Sequence, residues 1–328
     1  MTTPLMEVNN LNKYFPIKRG LLRKTVGYIK LLNDITFRIY EGQSFGYIGE
    51  TGCGKTMLAY CLSMLYKPTS GEVLFMGKNI LNMNNTELNK IRKDFQLVFQ
   101  DPLQSLPPFM KIGEILEEPL FVQGIGNGKD KRFKKVANIL EKVGLQADYY
   151  NRFPRQLSGG QQQRIEIARA LMLKPRLIIL DQPVSSLDVS IQAQVLNLFK
   201  ELGQETTYLI ATNNLSVLRQ MCHQTAVMYL GRFIEVGLTE TICVKPLHPY
   251  TKMLVDIIPD MQEELKKKGH STKIKIPERD LPDVWNMPKG CPYKYICERK
   301  YDICENEYPP LIEVEPGHLV TCHNPLTY

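Results

Sequence analysis

No apolar run in the sequence approaches the ~20 residues that a membrane-spanning helix requires. The start, Met1-Thr2-Thr3-Pro4-Leu5, has no basic segment followed by an apolar one, so no secretion signal is read there and an intracellular protein is expected. No two cysteines are spaced as CxxC, which argues against an ordinary zinc ribbon. Eight cysteines in an intracellular chain also argue against a disulfide framework. Charge of one sign does not dominate: 41 Lys and Arg stand against 34 Asp and Glu. The densest basic patches, Lys18 to Lys24 and Lys266-Lys267-Lys268, lack interleaved aromatics. They read as solvated faces, and no nucleic-acid partner is expected. A length of 328 residues allows one large α/β domain with an extension, or two modest domains.

What the sequence does contain is organised around Gly49-Glu50-Thr51-Gly52-Cys53-Gly54-Lys55-Thr56. The apolar run Ser44 to Ile48 leads in as a buried strand would, and Met57-Leu58-Ala59-Tyr60-Cys61-Leu62 leaves as a helix. Strand, glycine loop and helix form the phosphate-binding arrangement, in which backbone N–H groups and the positive end of the helix dipole meet the phosphates. Lys55 is expected on the β- and γ-phosphates of a bound nucleotide. Thr56 offers a hydroxyl to Mg²⁺, and Met57 continues the loop into the helix. Upstream lie short expected strands at residues 5–8, 28–32 and 35–39. Phe15, between the first two, is a candidate to stack on adenine or an ordinary packing ring.

The segment Asp94 to Pro102 has a strand's alternation and ends in Gln100, a candidate to touch Mg²⁺ or the attacking water. From about Ile112 to Arg152 the period becomes helical. Ile112, Ile115, Leu116 and Leu120 share one face and Val136, Ile139, Leu140 and Val143 another, with Gly144 as a stop. Then comes Leu157-Ser158-Gly159-Gly160-Gln161, in which Ser158 caps a helix beginning at the glycines. This stretch, following a phosphate loop, resembles the signature of ATP-binding-cassette (ABC) transporter nucleotide-binding subunits. Leu177-Ile178-Ile179-Leu180-Asp181 suits a central parallel strand, with Asp181 at its carboxyl end near Mg²⁺. It resembles the family's second acidic motif, and Ser185-Ser186-Leu187-Asp188 resembles the loop through which two such subunits meet.

The resemblance fails at two places. After the motif's aspartate the family has a glutamate that polarises the attacking water, and here Gln182 stands. An amide cannot accept the proton, and general-base help contributes typically ~10²- to 10⁴-fold. Where the family has a histidine contacting the γ-phosphate, this chain has Asn213, followed by Asn214. Gln182 alone would suit an engineered trap; together with Asn213 it reads as inherited loss. In the family each ATP lies between one subunit's phosphate loop and the other's signature. The resemblance therefore implies a silent site on this chain, an intact signature for the partner, and a heterodimer with a second, competent ATPase.

Past Gly237 the sequence reads as an extension. Pro246-Leu247-His248-Pro249-Tyr250 is an extended turn in which His248 reads as a surface histidine and not a ligand. Met261 to Pro282 reads as a polar linker. Cys291, Cys297, Cys304 and Cys322, with five, six and seventeen residues between them, suit zinc or an iron–sulfur cluster. Cys53, Cys61, Cys222 and Cys243 read as packing residues. The His248-Pro249-Tyr250 segment and the cysteine tail resemble oligopeptide and dipeptide importer ATPases. In those a four-iron four-sulfur cluster is the usual occupant, which makes zinc the alternative. The insertion from Gly20 to Tyr28 resembles the second of that branch's two ATPases.

The expected fold is α/β: a three-layer P-loop ATPase core with an antiparallel β portion, a helical subdomain at about 103–165 and a small cysteine-rich extension. The expected division is a nucleotide-binding domain at 1–240 and an extension at 241–328. The expected function is to power peptide uptake at the cytoplasmic face of the membrane, through two permease subunits fed by an external binding protein. The alternatives are a regulatory ATP-binding partner and a nickel-complex importer. A soluble cassette ATPase acting on ribosomes or DNA ranks last, because no second cassette or long coiled coil is present.

Overall fold

Where the sequence reads as three short strands before residue 40, the chain builds one long hairpin. The computed structural model describes residues 3–20, 23–126, 128–185, 187–203, 206–257 and 287–328. Ser186, residues 21–22 of the Gly20 to Tyr28 insertion, and the expected linker from Met261 to Pro282 lie outside the described residues.

In chain order the strands are β1 (Met6–Arg19), β2 (Lys24–Ile39), β3 (Phe45–Ile48), β4 (Ser70–Phe75), β5 (Lys78–Asn79), β6 (Phe95–Val98), β7 (Leu177–Asp181), β8 (Thr207–Thr212), β9 (Gln224–Tyr229), β10 (Arg232–Leu238), β11 (Leu311–Glu315) and β12 (His318–Thr321). The helices include α1 (Lys55–Leu62), α2 (Asn85–Ile91), α3 (Pro102–Ser105), α4 (Ile112–Val122), α5 (Lys129–Lys142), α6 (Gly159–Leu171), α7 (Val189–Leu202), α8 (Leu215–Met221), α9 (Thr239–Val244) and α10 (Pro249–Asp256). They form two compact units, one of Met1–Ile39, Gln43–Leu81 and Thr212–Tyr328, the other of Tyr40–Gly42 and Asn82–Ala211. No helix among the described residues is long and apolar enough to cross a membrane.

In the first unit β1 pairs antiparallel with β2 and β4, and β4 with β5. The β1–β2 register shifts near Leu11 and Lys13, and Asn10 and Asp34 have φ of 48° and 60°. These bulges interrupt the two-residue period, and so a continuous hairpin reads in sequence as separate strands. The same unit pairs β3 parallel with β9, β9 antiparallel with β10, and β10 through β12 to β11. Its core gathers Phe37, Phe45 and Phe233, with the first two rings stacked at 4.9 Å between centroids.

In the second unit β6, β7 and β8 are parallel. Every residue of β7 is buried, as its unbroken aliphatic run requires. Each such Leu or Ile contributes ~1.5–3 kcal/mol by leaving water. The helical reading of 112–152 holds. Ile112, Ile115, Leu116 and Leu120 of α4, and Val136, Ile139 and Leu140 of α5, are all buried. Gly144, with φ of 72°, ends the α5 segment.

Candidate functional site

In the first unit, the buried strand β3 delivers the chain into the phosphate loop and α1 carries it away. Two glycines are obligatory for local reasons. A Cβ on Gly49 would lie 2.2 Å from the Met228 carbonyl oxygen. Gly54, at φ 112°, would bring one within 2.7 Å of the Leu31 oxygen, in a conformation that disfavours any side chain. Gly52 adopts φ 86°, and a Cβ there would point into open space. The Cys53 carbonyl is held by the Gly231 N–H at 2.8 Å, and the Cys53 N–H donates to Glu50 at 3.3 Å.

Lys55 is 4 % exposed, and its Nζ donates to the Gly49 oxygen at 2.7 Å and the Glu50 oxygen at 2.8 Å. The first turn of α1 has no acidic residue to oppose an anion. The segment from Gly49 through Glu50, Thr51 and Gly52 to Thr56 and Met57 thus has the backbone cradle and the buried cation that a polyphosphate needs. Cys53 is a buried thiol raised above the usual thiol range by desolvation, in keeping with packing.

Phe15 sits on β1, half-buried, with its ring edge-on to Tyr66 at 6.4 Å and the Lys13 ammonium 4.8 Å from its centroid. Asn213 is exposed just after β8, and Asn214 caps α8 by accepting from the Ser216 N–H at 2.9 Å.

In the second unit β7 ends on Asp181, which is fully buried. Gln182 follows with φ of 49°, its N–H on the Ala211 oxygen at 2.9 Å. Its side-chain amide donates to Gln100 Oε1 at 3.0 Å. The structure therefore brings Gln182 and Gln100 together, amide to amide. Glu166 was not singled out in the sequence, because on α6 it looks like one more polar helix residue. It is 4 % exposed and accepts from the Phe99 N–H at 2.9 Å and bonds the Ser105 hydroxyl. It ties the exit of β6, beside Gln100, to α6. Burial raises its pKa above the usual carboxylate range, against the lowering effect of those hydrogen bonds.

Residues 157–161 form a capped helix start. Leu157 is buried, and Ser158 caps α6 in a reciprocal box with Gln161. Gly159 is open, whereas a Cβ on Gly160 would lie 2.6 Å from Ile191 Cγ2, so any larger residue there would force the Ile191 side chain to move. A cavity of about 410 Å³ opens beside Ser158, Gly160 and Gln161, with Arg152 and Arg164 on its wall. Asp188 begins α7 from an exposed position, its carbonyl accepting from the Ile191 and Gln192 N–H groups.

One expectation for the extension needs correction, and another finds no support. His248 is not a surface residue: it is 2 % exposed, caps α10 through the Tyr250 N–H, and burial lowers its pKa to about 3. The four-cysteine cluster also lacks structural support. Burial raises Cys291 and Cys322 to about 11 and also raises Cys297, with smaller upward contributions from neighbouring thiols of the set. All four are free thiols in one small region. Among the described residues, however, no group of three or more His, Cys, Asp or Glu is placed to hold a metal ion. A four-iron four-sulfur cluster or zinc requires thiolates at bonding distance, and no such grouping is found among the described residues.

The ABC transporter family model matches residues 32–185, and the model for the oligopeptide/dipeptide transporter C-terminal region matches residues 234–304. The chain is 41% identical over 323 residues to the oligopeptide transport ATP-binding protein AppF of Bacillus subtilis, covering 97% of each chain. It is 42% identical over 323 residues to the dipeptide transport ATP-binding protein DppF of Haemophilus influenzae, covering 98% of this chain and 96% of that one. Among solved structures, the dimeric post-hydrolysis state of the ATP-binding cassette MJ0796 bound to ADP and Pi aligns with a TM-score of 0.63 at 30% identity, over 71% of this chain and 98% of that one. The fold, a mixed sheet with helices, is that of an ABC ATPase. The chain belongs to the ATP-binding subunits of ABC transporters of the oligopeptide/dipeptide importer type.

Proposed function

We propose that this chain is the ATP-holding, weakly hydrolytic member of a pair of ATPases that powers peptide uptake. The observation that carries this is Gln182. The residue after the buried Asp181 is an amide bonded to another amide, Gln100, so the side chain at that position cannot accept a proton from water. Asn213 supports the same conclusion, since it has no imidazole for a γ-phosphate.

On this reading residues 1–240 are the nucleotide-binding domain and 241–328 the importer-type extension. The phosphate loop from Gly49 to Met57 holds ATP, with Phe15 toward the base. By resemblance, Thr56, Gln100 and Asp181 hold Mg²⁺, which would neutralise charge on the phosphates. Leu157 to Gln161 serve the ATP on a second, competent ATPase, with Ser186 and Asp188 in the loop between the two. Two permease subunits and an external binding protein complete the importer and place this chain on the cytoplasmic face of the membrane. The cysteine tail enters only as a question of composition: iron content and broad visible absorption in anaerobically purified protein are the signature of a cluster, and a colourless, iron-free preparation removes it from the account.

The test is to turn over ATP with the assembled transporter, strip unbound nucleotide, and measure what stays. We expect about one unhydrolysed ATP per complex, lost in Lys55→Ala. A complex retaining only ADP contradicts the proposal.

A further inference from the structure

The sequence motif that the ATPase function leaves unexplained is Pro246-Leu247-His248-Pro249-Tyr250. All of it is anchored in the first unit. Glu235, fully buried on β10, accepts from the Leu247 N–H at 2.7 Å and the His248 N–H at 2.8 Å, and it also bonds His318 Nε2 at 2.8 Å. Pro249 opens α10 at a position where its missing N–H costs nothing. His248, neutral through burial, accepts the Tyr250 N–H on Nδ1 at 3.0 Å. The Tyr250 ring is fully buried against Tyr229 at 4.7 Å and Tyr293 at 5.7 Å between centroids.

Held by these contacts, the Tyr250 hydroxyl accepts the backbone N–H of Glu50 at 3.1 Å. That N–H belongs to the peptide unit whose carbonyl, on Gly49, accepts Lys55 Nζ at 2.7 Å. One peptide plane is thus pinned at both ends. A rotation of the plane that freed the N–H would also swing the oxygen off the lysine.

We propose that Tyr250 is a positioning residue for the phosphate loop: its hydroxyl sets the Gly49–Glu50 peptide plane and through it the Lys55 ammonium that meets the nucleotide. This inference rests on the reading of Gly49 to Thr56 as an ATP site. It gives the His-Pro-Tyr turn a task, which is to lock the start of the extension against the loop that holds phosphate. Tyr250 touches no substrate, and it acts through the peptide.

The test compares Tyr250→Phe with Tyr293→Phe in the full-length chain. Both keep a buried ring, but Tyr293→Phe removes a hydroxyl directed at Met253 Sδ, at 3.9 Å, and none from the loop. Binding of a fluorescent ATP analogue and amide exchange of the peptide covering Glu50 are measured together. Loss of this hydrogen bond predicts about three- to tenfold weaker binding for Tyr250→Phe. Faster exchange at Glu50 should accompany it while β9 stays protected. Tyr293→Phe should change neither. Unchanged exchange at Glu50 in Tyr250→Phe, or the same two changes in Tyr293→Phe, overturns the inference, the latter because it would mean general loosening of the aromatic core. If the wild-type chain binds no ATP, the ATP-site reading fails, and the exchange comparison alone decides whether Tyr250 holds the loop.

Discussion

The phosphate loop and the carboxyl end of β7 place opposite demands on their residues. In the loop, function is carried by backbone: Gly49 and Gly54 are dictated by the Met228 and Leu31 carbonyls that would meet a Cβ, and Lys55 is buried among carbonyls. A change there disturbs packing and binding together. At the end of β7, the proposed function turns on the chemical identity of single side chains. Gln182 and Asn213 lie outside the core, half-buried and exposed, and the fold accommodates an amide at each. On the proposed reading, nucleotide holding is tied to the fold, whereas water activation is lost by exchanging a few atoms.

The comparison can be broken or sharpened at several positions. The largest effect is expected from restoring chemistry. In a transporter whose partner ATPase is disabled, Gln182→Glu combined with Asn213→His should raise turnover by ~10²-fold or more, because a general base and an imidazole return. Steady-state phosphate release checks it. Next, Lys55→Ala should weaken ATP binding on the order of a hundredfold by removing a charge-assisted contact, as a titration with a fluorescent analogue would read. Gly49→Ala should destabilise the fold by roughly 1–3 kcal/mol because the carbonyl of Met228 must shift, seen as a lower midpoint in denaturant. Gln182→Ala should cost far less in the same measurement.

Smaller effects probe the link between signature and β6. Ser158→Ala removes the cap of α6 and should cost ~1 kcal/mol by thermal unfolding. Glu166 has a folded pKa raised from 4.5, chiefly by burial. Its contribution is therefore fully present below the unfolded value and declines as pH rises from about 4.5 through the folded one. Glu166→Gln keeps an acceptor for the Phe99 N–H and should flatten that part of the stability profile.

The parts of this molecule legible in sequence are those where chemistry forces a residue type at short range. The glycines of the phosphate loop, the Ser158 cap and the aliphatic run of β7 declare themselves within a few positions. The β1–β2 hairpin does not, because the bulges at Asn10 and Asp34 reset the alternation. Tyr250 was hidden for another reason: its partner, Glu50, lies 200 residues away, and no local pattern encodes a hydroxyl aimed at a distant N–H. His248 was misread as exposed because Glu235, which draws the turn inward, belongs to a strand twelve or more residues upstream. The cysteine tail differs again: spacing suggests a ligand set, but ligation depends on how the thiols are placed in space, and among the described residues no group is placed to hold a metal ion.

The asymmetry itself is tested most directly by ATP turnover in the assembled heterodimer after the partner's catalytic glutamate alone is changed to glutamine. If this chain holds ATP without activating water, turnover collapses to background. Survival of about half the rate would contradict the account, since the site built on Gly49 to Thr56 would then hydrolyse ATP despite Gln182 and Asn213.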